Sequence, residues 1–238
     1  MTHSNPAVLP DDRLETLSAL LPAGTVLHGW LKAAHADVPA AIHVAQGSWE
    51  IGHLAARNTE EFEFVWLVVA TGGQTSLTFD PVRTAVSVIY AFLPSDVLTK
   101  GIMVIYSGAA NTAPSLADGY HFRPPFGWMN DPNGFGRFGS KVHLFYQHYP
   151  HSLRWNTMHW GHAVSDDYLH WKHQPIFLFL SAGLSARADG RGGAFSGSAI
   201  PLAEDASGIR VFFTEQVKDR APEEQIQLTA VSRDLVTA

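Results

Sequence analysis

The chain has 238 residues, 46% hydrophobic and 16% charged, the composition of a globular protein with a sizeable core and not of a disordered chain. Its net charge is −6 and no run of Lys or Arg occurs, so neither nucleic acid nor an anionic membrane is expected as a partner. Cysteine is absent, which excludes a disulfide framework and thiol catalysis.

The start, "MTHSNPAVLPDDRLETLSALLPAG", lacks a basic segment followed by an unbroken apolar one. A secretion signal is therefore not evident, and a cytoplasmic location is slightly favoured. No apolar stretch approaches the ~20 residues of a membrane helix. In "DDRLETLSALL", Asp11 or Asp12 is placed to cap a helix, and Leu14, Leu17, Leu20 and Leu21 recur at helical spacing until Pro22 and Gly24 stop it. From Thr25 the period changes. "TVLHGWLKAA", "AAIHVAQGSWEIGHLAA", "EFEFVWLVVAT", "TSLTFD", "TAVSVIYAFLP" and "KGIMVIYSG" are rich in β-branched and aromatic residues and punctuated by Gly, Pro and Asp. Strands at this spacing predict a β-sandwich or small barrel, with Trp30, Trp49 and Trp66 expected in packed positions.

A crowding of Ala, Asn, Pro, Ser and Gly then marks a boundary near Ala117, dividing the chain into 1–117 and 118–238. Beyond it, seven of the thirteen His residues and four of the seven Trp residues fall between 128 and 173. Further strand-like runs follow in "KVHLFYQHY", "MHWGHAVS", "PIFLFL", "GAFSGSAIPL", "IRVFFTEQV" and "IQLTAVS", whose even spacing fits a blade-built fold. His159 and His162, like His170 and His173, have the look of metal-ligand pairs. On a strand, residues three apart point to opposite faces, and no HExxH or Cys set accompanies them, so a metal site is not favoured. These His and Trp side chains read mostly as packed parts of a β core.

The stretch "FGWMNDPNGFG", residues 126–136, allows two readings. Asp-Pro-Asn-Gly is good hairpin-turn chemistry. Alternatively the turn holds Asp131 at a strand end, aimed into a pocket where Trp faces stack on a sugar ring and amides bind its hydroxyls. A single placed carboxylate of that kind points to glycoside cleavage, which in its retaining form needs a second carboxyl group ~5–5.5 Å away.

Taken in order, "GWMNDPNGFG", "LFYQHYP", "RWNTMHWGHAVSDDYLHW" and "FSGSA" resemble glycoside hydrolase family 32, the β-fructosidases that include invertases, levanases and inulinases. The resemblance spans about residues 119–238. It implies an all-β protein in which 118–238 form the first two to three blades of a five-bladed β-propeller, preceded by a β-sandwich-like accessory domain over 1–117. It also implies retaining hydrolysis of terminal β-fructosyl linkages in sucrose or fructan without metal or cofactor. By position, Asp131 would be the nucleophile. Asn130 would contact the fructose ring and Trp128 would shape the wall. Gln147 and Trp155 would bind the fructosyl unit, and Phe195 and Ser196 would lie on the strand closing over its hydroxyls. Two elements expected to follow are not found, an Arg-Asp-Pro triplet and an acid/base Glu before Cys. Arg233-Asp234 is followed by Leu235 and reads as a solvated decoy; Glu215 is the best remaining carboxylate but lacks the acid/base context. Asp189, in a Gly-rich loop before "FSGS", is a weaker candidate for the pocket border, while Glu204, Asp205, Glu223 and Glu224 read as surface charge. The isolated chain is thus expected to be feeble as an enzyme, and the alternative is a non-catalytic carbohydrate-binding or regulatory remnant. Oligomeric state and the choice among sucrose, inulin and levan stay open.

Overall fold

A computed structural model describes residues 13–108, 121–179, 192–203, 208–217, 219 and 224–238. The boundary near Ala117, the caps Asp11 and Asp12, and Asp189, Glu204, Asp205 and Glu223 lie outside them. The described residues form four antiparallel sheets and one helical turn.

The first two sheets make a sandwich. One has the order β1 (Glu15–Leu21), β6 (Gly73–Phe79), β3 (Ala40–Gln46), β4 (Trp49–Ala56); the other runs β5 (Glu63–Val69), β2 (Thr25–Ala33), β7 (Thr84–Phe92), β8 (Met103–Ser107). The expected helix over residues 11–21 is instead strand β1, paired with β6 from Glu15↔Phe79 to Leu21↔Gly73. Leu17, Ala19 and Leu21 turn inward while Leu20 stays 72% exposed, a period of two and not of 3.6. A seven-residue ladder and a burying sheet outweighed a helical spacing of leucines, because propensity is only a weak prior beside tertiary pairing.

Leu27, Leu31, Ile42, Val44, Leu54, Leu77 and Ile89 fill the space between the two sheets. Each such side chain contributes roughly 1.5–3 kcal/mol by leaving water. The second sheet has another covered face. Trp30, Val88, Tyr90 and Phe92 point away from the sandwich core and meet Phe126, Ile176, Phe179 and Val236, with Val97 of the single-turn helix α1 (Val97–Lys100). The Tyr90 hydroxyl accepts from Ile176 N at 3.2 Å, and Ile102 N donates to His173 O at 2.9 Å. Of the three tryptophans expected to pack, Trp30 is buried, but Trp49 and Trp66 are 77% and 61% exposed. Both lie on edge strands, where nothing in the described chain covers the outer face.

The third and fourth sheets are meanders whose spatial order follows the chain. β9 (Trp128–Phe138), β10 (Lys141–Tyr149), β11 (His159–Ser165) and β12 (Trp171–His173) form one; β13 (Gly192–Pro201), β14 (Ile209–Val217) and β15 (Gln225–Ser232) form the other. They pack face to face through Phe138, Phe145, Trp160 and Phe177 on one side and Ala194, Val211 and Phe213 on the other, as neighbouring blades do. A parallel bridge, Met158↔Gly193, adds backbone contact. A Cβ on Gly193 would come within 2.4 Å of Met158 N, so this approach requires glycine. "PIFLFL" is not a strand; its described part joins β11 only through the Trp160↔Leu178 bridge.

The two blade-like sheets share one turn. After β11, Ser165 Oγ donates to Asp167 Oδ1, which also accepts from Leu169 N and His170 N, and Tyr168 adopts φ +68°. After β15, Ser232 Oγ donates to Asp234 Oδ1, which accepts from Val236 N and Thr237 N, and Leu235 adopts φ +60°. The Arg233-Asp234 pair is therefore the second copy of a structural turn.

Candidate active site

The Asp-Pro-Asn-Gly stretch is not a hairpin. It lies inside β9, at the edge of its sheet. Pairing with β10 runs Tyr149↔Trp128 and His148↔Met129, then Tyr146↔Pro132. Asn130 and Asp131 consequently oppose the single residue Gln147, which is a β-bulge. Pro132 is tolerated because edge strands and bulges do not need its missing N–H. A second shift, between His143↔Gly136 and Phe145↔Asn133, makes Gly134 and Phe135 oppose Leu144. Gly134 has φ +48°, and a Cβ there would meet the Ala199 Cβ of β13 at 2.8 Å. The glycine read as a turn residue lets two sheets approach.

Strand β13 breaks its ladder in the same way. Ala194 pairs with Glu215 and Gly197 with Phe213, leaving Phe195 and Ser196 opposite Thr214. A Cβ on Gly197 would sit 1.9 Å from Phe212 O, so the close strand approach beyond the bulge depends on glycine. The bulges turn two side chains toward each other: Ser196 Oγ donates to Asp131 Oδ2 at 2.7 Å, across 65 residues of sequence. Hydrogen bonds from Ser196, first, and then Asn130 hold the Asp131 carboxyl below its ordinary range. The group is solvent-exposed and ionised at neutral pH.

The other expected residues gather around this pair. Trp128 Nε1 donates to Asn130 Oδ1 at 2.8 Å. Gln147 is 2% exposed, and its Nε2 donates to Ala194 O at 2.9 Å, tying β10 to the start of the β13 bulge. Trp160 Nε1 donates to Phe195 O at 3.1 Å. Trp155 projects from the loop after β10, 53% exposed, edge-on to Phe195 with centroids 6.3 Å apart. An open hollow of about 410 Å³ lies beside these groups, lined by Trp128, Asn130, Leu153, Phe122, Arg123 and Met129. Asp131 and Ser196 are not part of that lining.

Sequence reasoning did not pick out three contributors. Asn133, buried in β9, accepts from Gly197 N at 3.4 Å and so links the two bulged strands. His148 lies with Nδ1 2.9 Å from Trp128 O, at the root of the candidate site. Leu153 enters the hollow from the loop. A Pro and a Gly within one apolar-flanked run were the available signal for the bulges.

The histidines are structural. His143 Nδ1 and His162 Nε2 are 3.0 Å apart, an arrangement in which only one of the two nitrogens carries a proton. Burial lowers His143, His159 and His173 to about 4 and His148 to about 3. Among the described residues no group of three or more His, Cys, Asp or Glu is arranged to hold a metal ion.

Residues 121–237 match the family model described as the glycosyl hydrolases family 32 N-terminal domain. A levanase of Bacillus subtilis is 45% identical over 91 residues, 38% of this chain and 12% of the levanase. A sucrose-6-phosphate hydrolase of Escherichia coli is 43% identical over 121 residues, 48% of this chain and 24% of the relative. An extracellular exo-inulinase of Aspergillus niger is 43% identical over 90 residues, 38% of this chain and 16% of the inulinase. The chain thus matches less than a quarter of the length of each of these relatives. A solved family 32 glycoside hydrolase from Bifidobacterium adolescentis superposes with a TM-score of 0.79 at 26% identity, over 93% of this chain and 38% of that one. That likeness takes in the N-terminal sandwich as well as the blade-like sheets, which agree with a β-propeller fragment. On its motifs, its family match and its fold, the segment 121–237 of this chain belongs to glycosyl hydrolase family 32.

Proposed function

We propose that the protein acts on terminal β-fructosyl linkages of sucrose or fructan by a retaining mechanism in which Asp131 is the nucleophile. The observation that carries this reading is the Ser196–Asp131 hydrogen bond between two facing bulges, which holds an ionised carboxylate at the solvent-facing end of the sheet pair. The named activities of the relatives, levanase, sucrose-6-phosphate hydrolase and exo-inulinase, supply the substrate class. In the first step an Asp131 oxygen forms a bond to the anomeric carbon as the bond to the leaving oxygen breaks, and that oxygen takes a proton from an acid. Water then attacks the fructosyl–Asp131 ester, gives up a proton and releases fructose. Asn130, Gln147 and Ser196 bind hydroxyls, while Trp128, Trp155 and Phe195 form apolar walls. We also take residues 1–117 and 118–238 as the accessory and catalytic domains.

The proton donor is assigned to none of the described residues. Asp234 is engaged in its own turn, and Glu215 is buried on the face of β14 that packs between the sheets. Without a positioned acid, turnover of sucrose drops by roughly 10²–10⁴-fold. Binding is therefore the more direct test. In a heteronuclear NMR titration, fructose-terminated oligosaccharides should shift the indole signals of Trp128 and Trp155, and maltose should not. An equal response to maltose, or none to either sugar, would contradict the proposal.

A further inference from the structure

The loop between β10 and β11 carries two groups of the saccharide site, Trp155 beside Phe195 and Leu153 in the hollow. Its root is held by the sandwich. His151 Nδ1 lies 2.6 Å from Ser87 Oγ of β7, and Ser87 is buried, so water does not compete for the bond. The imidazole stacks on Phe62 with centroids 4.8 Å apart, and Lys32 Nζ lies 5.2 Å from the centre of the Phe62 ring. Trp30 completes the enclosure, 6.2 Å from His151 and stacked at 6.1 Å on Phe179. Further along the loop, Asn156 Nδ2 donates to the Tyr149 hydroxyl at 3.3 Å, returning the chain to the end of β10. Ser87, Phe62 and Trp30 all precede the sheets that bear Asp131 and Ser196.

We propose that the N-terminal sandwich is a positioning element of the saccharide site: Ser87 and Phe62 fix His151, and His151 fixes the loop that presents Trp155 and Leu153 to the sugar. The proposal rests on the β-fructoside reading above. Its physical basis is preorganisation. A loop released at its root must be ordered again when sugar binds, and that cost is subtracted from affinity. The sandwich thus influences recognition without touching the substrate.

The test uses the whole chain labelled with fluorotryptophan, with Trp155→Phe identifying the Trp155 resonance. Ser87→Ala and Phe62→Leu should each shift and broaden that resonance and weaken binding of a fructose-terminated oligosaccharide by about tenfold. Ser87→Thr, which keeps the hydroxyl, should restore both. Ile42→Val, in the sandwich core away from the loop, should lower thermal stability and leave resonance and affinity in place. An unmoved Trp155 resonance in both Ser87→Ala and Phe62→Leu overturns the proposal, as does an equal shift in Ile42→Val. If the unaltered chain binds no saccharide while Ser87→Ala still moves Trp155, the β-fructoside reading fails and the bracing of the loop stands.

Discussion

Two pairs of strands, β3 and β6 in one sandwich sheet and β10 and β11 in the first blade-like sheet, bury their residues by different rules. In the sandwich, β3 and β6 alternate: Ile42, Val44, Leu77 and Phe79 face inward, and His43, Ser76 and Thr78 face outward or to the rim. In β10 and β11 nearly every residue is buried, including His143, Gln147, His148, His159 and His162. A strand covered on both faces has no solvent side for its polar residues. Each must then find a partner inside or stay neutral, and this is where the molecule concentrates its titratable groups. Both regions break their ladders, the sandwich between Trp30 and Leu31, Val44 and Ala45, and Ile89 and Tyr90. The bulges at Asn130-Asp131 and Phe195-Ser196 lie where the candidate chemistry lies, as expected if a broken ladder is how a sheet re-aims a side chain.

Acid is the strongest way to separate the two regions. His148 is held at about 3 and His143, His159 and His173 at about 4, while His151 and His162 are lowered well below the ordinary 6.5, all chiefly by burial. A base with a depressed folded pKa binds fewer protons folded than unfolded once the pH is below 6.5. Stability is therefore full above about pH 6.5 and falls as the pH drops from there toward 4. Each such group contributes about 1 kcal/mol per pH unit in that window. Six act in the blade-like sheets and their loop; in the sandwich only His28, at about 4, is shifted this way among the described residues. Hydrogen exchange followed from pH 7 to 4.5 should show β10 and β11 losing protection before β3 and β6. Earlier loss in the sandwich, or protection independent of pH, would contradict the comparison.

A smaller effect sharpens the role of the bulges. Ser196→Ala removes the main donor that holds the Asp131 carboxyl low, so its pKa should rise toward the ordinary aspartate value. Carboxyl-carbon NMR titration reads this directly, and an unchanged midpoint would mean that the bond has no electrostatic effect.

Much of the strand inventory was legible. "TVLHGWLKAA", "KVHLFYQHY" and "IRVFFTEQV" each contain a strand, because β-branched and aromatic runs between Gly and Pro leave little alternative. Strand β1 was not legible, since leucines at helical spacing also supply Leu17 and Leu21 to an alternating face, and only pairing with β6 decides between them. Nor were the bulges. Asp-Pro-Asn-Gly satisfies the local rules for a turn, and only the register against Gln147 shows two residues opposite one. The candidate site residues were proposed from motif order and not from geometry. Asn133 and His148 were missed because their work is to link strands, which a single sequence does not display. The solvated Asp234 was read correctly, and its likeness to Asp167 now gives the reason.

The proposed mechanism makes the Asp131 carboxylate the attacking group. It can be tested independently of any proton donor by using a β-fructosyl fluoride, whose leaving group departs unprotonated. Peptide mapping by mass spectrometry after incubation should find one fructosyl unit on the peptide carrying Asp131, absent in Asp131→Asn. A fructosyl ester on any other carboxylate, or labelling that persists in Asp131→Asn, would contradict the account.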